Sequence, residues 1–227
     1  MNDLTDSNLP SSAFKAPALS DAVRRTLANT FLSVAVMLAI TAAVSWAMIG
    51  QSLSLLATIT LFIVALGLIF AVRAASRSAW GLVVLAVFSA VMGVLLGPAL
   101  TSHLSVPDGA SHVASALGLT AAVVFACSGY AISSRRDFSH LRVILFAGVI
   151  ALLLAMVANM FLAIPALSLG LSVVGAILFT AWLLYDLSEV IQGRETNYIV
   201  ASIGVYLSIL NIFTSLLNVL GIGLSDD

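Results

Sequence analysis

The chain has 227 residues, 61% of them hydrophobic and only 8% charged, with a formal net charge of −1. Soluble domains carry about 25% charged residues, so this composition excludes an ordinary soluble globule. The near-neutral balance gives no electrostatic footprint for nucleic acid, and a single cysteine, Cys127, excludes an internal disulfide and a cysteine-rich metal site.

Residues 1–26 read as a polar, flexible cytoplasmic tail with Pro10, Pro17 and scattered Ser and Asp. A spanning helix needs about 20 mostly apolar residues. Seven such runs follow, at 27–49, 53–72, 79–102, 113–132, 142–162, 166–186 and 199–222. They define an all-α, seven-span membrane domain over 27–222, followed by a short external tail at 223–227. The ten-residue alternation of a membrane β-barrel is missing. The connections leave no room for a soluble catalytic or ligand-binding domain.

The nine basic residues all fall in the N-terminal segment or in the connections after spans two, four and six. Lysine and arginine collect on the cytoplasmic side, so the N-terminus is expected inside and the C-terminus outside. Three runs of small residues suit close helix approach: Gly93 and Gly97; Ala114, Gly118 and Ala122; and Ala147, Ala151 and Ala155. Gly97–Pro98 reads as a kink or helix end. His103, His112 and His140 match no metal-ligand spacing and read as interfacial. Asn159, deep in span five, should make an interhelical hydrogen bond.

The last two spans carry most of the information. Gly204, Ser208, Asn211, Ser215 and Asn218 recur at helical spacing and fall within an arc of roughly 80°. Asn197 extends this stripe into the preceding loop. Span six offers a matching face of Ser168, Ser172, Gly175, Phe179, Trp182 and Asp186. Such faces avoid lipid. They are either polar glue between helices or the wall of a solvent or ion path.

Asp186 is the only acid close to a span interior, and Glu189 follows one helical turn later. The pair fits either a proton-sensitive latch or weak cation site, or simple interfacial charge at a helix end. Arg73 and Arg194 are the candidate partners. Catalysis fails on inventory: no G-x-S-x-G elbow, H-E-x-x-H pair or GxxxxGK[ST] loop occurs, and no cofactor is implied.

The segment LLYDLSEVIQGRETNYIVASIGVYLSILNIFTSLLNVLG, with LLGPALTSHLS and CSGYAISSRRDFSHL, resembles the Bax inhibitor-1 (transmembrane Bax inhibitor motif) family, and within it the bacterial YccA-like branch. The resemblance covers essentially all the spans. It implies six helices around a central last helix, in the bacterial inner membrane. Channel-like relatives leak calcium through a path gated by two aspartates that share a proton, with a second-span arginine engaging them. Asp186 stands at the first aspartate and Arg73 near the arginine, but Ser208 stands at the second. The YccA-like branch is instead associated with the membrane protease FtsH, whose point of attack is the N-terminal tail. The resemblance therefore implies a non-enzymatic modulator or substrate of an FtsH-type protease, with a pH-sensitive calcium or cation leak as the alternative.

Overall fold

The computed structural model describes residues 19–223. These form seven long helices: α1 (Asp21–Ala47), α2 (Leu55–Ala75), α3 (Trp80–Leu104), α4 (Gly109–Ser134), α5 (Arg142–Leu162), α6 (Pro165–Ile191) and α7 (Tyr198–Gly223), with one 3-10 turn at Ser139–Leu141. All seven are long and apolar enough to cross a bilayer. Residues 1–18 of the tail and 224–227 of the C-terminal tail lie outside the described residues.

Local chemistry sets the helix ends. Ser20 and Ser54 cap α1 and α2, their hydroxyls accepting from the Val23 and Ala57 N–H groups. Each cap satisfies one of the amides that a helix start leaves without a partner. Pro165 opens α6, at the position where its missing N–H costs nothing. Asn197 caps α7: its Oδ1 accepts from the Ile199 N–H at 2.9 Å, while its Nδ2 donates to the Ser76 carbonyl at 2.9 Å. That second bond ties the start of α7 to the end of α2.

Most boundaries shift by a few residues from the hydropathy reading, and the shifts at α1 and α6 are the largest. α1 begins at Asp21, so residues 21–26 are its first turns and not part of the tail. α6 runs on to Ile191, because Leu187-Ser188-Glu189-Val190 continues a helix that stops only at Gly193, in the left-handed region at φ 71°. At the other end, Gly223 is the last residue of α7. Gly97–Pro98 does not end α3, which continues to Leu104.

α7 is the axis of the bundle. It packs against α1, α2, α3, α4 and α6, while α5 sits outside, against α6. Buried residues make up 61% of its apolar span, against 11–28% for the other six helices. Tyr206 anchors it: the hydroxyl meets Thr41 Oγ1 at 2.6 Å, and the ring packs edge-on to Phe88 at 5.8 Å between centroids.

Only one of the three small-residue runs works within the chain as expected. A Cβ on Gly93 would lie 2.8 Å from both the Thr41 carbonyl oxygen and Val44 Cβ, and Gly97 sits against Met48 and the Ser45 carbonyl. This glycine pair lets α3 and α1 touch. Ala114, Gly118 and Ala122 instead face outward, with nothing near Gly118. Ala147 and Ala151 are likewise exposed, and the close contact of α5 is Gly148 against Leu178. Small-residue spacing shows that close approach is possible; it does not choose the face that is used.

Candidate functional site

The polar faces of α6 and α7 meet along their length. At one end Asp186 of α6 lies over Gly204 of α7: a Cβ there would stand 3.0 Å from Cγ and both carboxylate oxygens. Glycine is what lets the carboxylate lie flat on the neighbouring helix. Ser208, one turn on and fully buried, donates its hydroxyl to Asp186 Oδ2 at 3.2 Å. Farther along the seam the exchange is reversed. Gly175 of α6 now receives Ser215 of α7, whose Oγ would be 2.8 Å from a Cβ on that glycine. Asn211 turns to its own helix, donating to the Leu207 carbonyl at 2.8 Å.

Two cavities open on this seam. The first, of about 860 Å3, holds Asp186, Glu189, Arg73, Arg142, Arg194 and Glu195, with Trp182 and Gly204 in its wall. The second, of about 560 Å3, lies toward the other end and is lined by Asn159, Ser168, Ser172 and Asn218. There Asn159 Nδ2 donates to Ser168 Oγ at 2.6 Å and its Oδ1 accepts from the Ile164 N–H at 3.2 Å. This is the expected interhelical bond, between α5 and α6. The packed stretch around Gly175 and Ser215 lies between the two cavities.

The carboxylates have different partners. Asp186 has Ser208, and neither Arg73 nor Arg194 forms an ion pair with it, although Arg73 shares its cavity. Arg194 turns instead to Glu189, with Nε and Nη2 at 2.8 and 2.7 Å from Oε1. It also makes a two-pronged pair with Asp137, Nη2 to Oδ1 at 2.8 Å and Nη1 to Oδ2 at 3.0 Å. Fork-to-fork pairing of this kind is the strong geometry for arginine and carboxylate. The backbone N–H and hydroxyl of Ser139, then Arg194, draw Asp137 down to about 2. Glu189 first, and Asp137 after it, push the Arg194 guanidinium up.

Arg194 is thus a clamp between the α6–α7 loop and the α4–α5 loop. Neighbouring bonds fasten the same segment: Ser188 Oγ accepts from the Phe138 N–H and donates to the Arg136 carbonyl, both at 3.2 Å, and Gln192 Nε2 donates to the Arg135 carbonyl at 2.7 Å. The sequence reading singled out neither Asp137 nor Ser188 nor Gln192. The available signal was an acid amid arginines in SSRRDFSH, in a loop that antiparallel spans bring beside Arg194. His103, read as interfacial, sits with its ring beside Gly221 at the far end of α7, its Nδ1 2.8 Å from the Ala99 carbonyl.

The model of the family of inhibitors of apoptosis-promoting Bax1 matches residues 23–225. The chain belongs to the Bax inhibitor-1 family. Among relatives, an "uncharacterized membrane protein" of Vibrio cholerae is 39% identical over 89% of this chain and 92% of its own length. The "modulator of FtsH protease YccA" of Escherichia coli K12 is 38% identical over the same shares. An uncharacterized protein of Pseudomonas aeruginosa is 38% identical over 90% of this chain and 92% of its own. With seven helices long enough to span, the chain is integral to the bacterial inner membrane; a 38% identical Escherichia coli O6:H1 relative is named an inner membrane protein.

Proposed function

We propose that this protein is a non-enzymatic modulator of an FtsH-type membrane protease, acting in the quality control of membrane proteins. The observation that carries this reading is the near end-to-end similarity to the modulator of FtsH protease of Escherichia coli, which leaves only 8% of that relative uncovered. The bundle supports it. Asp21 begins α1 at the end of the molecule that holds Arg135, Gln192 and Arg194, and Leu19 and Ser20 share a small cavity with Arg135 and Gln192. With the basic end on the cytoplasmic side, the described chain begins at Leu19 and Ser20, beside the face that the Arg194 clamp fastens. A protease that starts at a chain terminus would pull there, against a closed core.

A second reading has one observation in its favour. The Asp186 carboxylate lines a cavity large enough to admit a hydrated cation or a proton-carrying water. The site is thin for calcium, which takes six to eight oxygens. Ser208 adds only a neutral hydroxyl, and Glu189 is held by Arg194.

The two readings separate in one reconstituted system. Deleting residues 2–18 keeps the Ser20 cap and should abolish co-purification with the protease while leaving calcium flux unchanged. Asp186→Asn should leave co-purification intact. A calcium flux lost with Asp186→Asn, together with protease binding indifferent to the deletion, would reverse the order of the two readings.

A further inference from the structure

The geometry points to a binding site for an anionic phospholipid in the slot between α2 and α5, its phosphate held by Arg73 and Arg142. The argument starts from which helices do not touch. α2 packs on α3 and α7, α5 packs on α6 and its own leading turn, and no contact joins α2 to α5. Yet both line the cavity of about 860 Å3 whose back wall is α6 and α7. A cavity between two helices that do not meet is open sideways, toward the bilayer.

The walls of the slot are graded. Ile69, Val143 and Phe146 are apolar, and Val143 and Phe146 are largely exposed, at 76% and 62%. They give acyl chains a path in. At the charged end stand Arg73, in the last turn of α2, and Arg142, the first residue of α5. Both side chains are exposed, and among the described residues neither guanidinium has an ion pair or hydrogen bond.

The acids in the same cavity have hydrogen-bond partners other than these two arginines. Glu189 is engaged by Arg194, Asp186 lies over Gly204 and accepts from Ser208, and Glu195 accepts from the Asn197 N–H at 2.7 Å. Two guanidinium groups without a protein hydrogen bond, lining one slot between α2 and α5, suit one phosphodiester. Arginine matches phosphate with paired N–H groups, and basic pockets between spans on the cytoplasmic side are the common form of headgroup site. A free phosphate would have no use for the apolar walls, so the assignment is to a lipid. The slot is separate from the protease-modulating role and stands without it.

Trp182 in the cavity wall supplies a reporter. The full chain carrying W46F and W80F, so that Trp182 is the sole tryptophan, is reconstituted with phosphatidylcholine and increasing fractions of brominated phosphatidylglycerol or brominated phosphatidylcholine. Phosphatidylglycerol should quench Trp182 at lower mole fraction. R73Q should weaken that preference roughly fivefold, as expected for one arginine near a charged membrane surface. R73Q/R142Q should remove it, and R77Q, outside the cavity, should leave it intact. Equal quenching by both lipids in the parent protein, or a preference that survives R73Q/R142Q, would overturn the site. So would displacement of the preference by millimolar glycerol phosphate, which would make it a free-anion site. If R73Q/R142Q does not fold, R73K/R142K serves instead: a preference weakened but retained supports the site, and no change at all contradicts it.

Discussion

The two cavities on the α6–α7 seam are built on one plan and filled differently. Gly204, in the wall of the first, receives Asp186, and Gly175, in the packed stretch between them, receives Ser215. One cavity is crowded with ionisable groups, whereas the other is lined by amides, hydroxyls and apolar side chains. Charge is costly inside a membrane protein unless it is paired or wet. At the charged end Arg194 pairs with Glu189 and Asp137, and Ser208 donates to Asp186; the second cavity offers Asn159, Ser168, Ser172 and Asn218. The same packing motif thus seats a carboxylate at one end of the seam and a hydroxyl at the other.

Substitutions at the two ends should separate them. The largest effect is expected for Gly204→Val, which drives branched methyl groups into the Asp186 carboxylate. It should cost roughly 1–3 kcal/mol, as overpacking does, and break the Ser208 bond. Thermal unfolding in nanodiscs reads the loss, and Gly204→Val/Asp186→Ala should recover part of it. The same change at the neutral end, Gly175→Val, should cost less, because the Ser215 hydroxyl can rotate away. Equal losses at both glycines would mean that the carboxylate is no more tightly seated than a serine.

Asn159→Ala tests the neutral end itself. It leaves Ser168 and the Ile164 N–H without their amide partner. Polar contacts between spans are worth about 0.6–1.7 kcal/mol, and the same unfolding assay should show a loss in that range with no change at the charged end.

The smallest effect concerns pH. The depressed Asp137 means that the clamp contributes stability above the ordinary carboxylate value and loses it as pH falls through about 2. The difference in melting temperature between the parent and Arg194→Ala should stay constant from pH 8 to 5 and shrink in stronger acid. Because Asp137 is exposed, the difference should also fall with added salt. A clamp contribution that disappears near neutrality would contradict this assignment of partners.

The two ends were unequally legible in the sequence. Spans were plain because about 20 apolar residues in a row have few other uses. The α6–α7 seam was also plain: Ser168 to Asp186 and Gly204 to Asn218 keep helical period, and two such faces in consecutive antiparallel helices have each other to meet. The Arg194 clamp was not, since its pairing with Asp137 joins residues 57 apart through loops that carry no periodicity. The α4 run of Ala114, Gly118 and Ala122 misled for the opposite reason: its period was clear, and its face turned out to be open. The placement of Asp186 was half legible. Its neighbour on α7 could be counted out, but whether α6 ended there depended on the Gly193 stop.

A modulator of an FtsH-type protease that acts through its N-terminal segment should change how fast that protease works. The most direct measurement is the rate at which purified FtsH degrades a membrane-protein substrate in proteoliposomes, with and without this protein at equal abundance. Slower degradation with the full chain, and an unchanged rate with the chain lacking residues 2–18, is the predicted result. A degradation rate indifferent to the full-length protein would contradict the account.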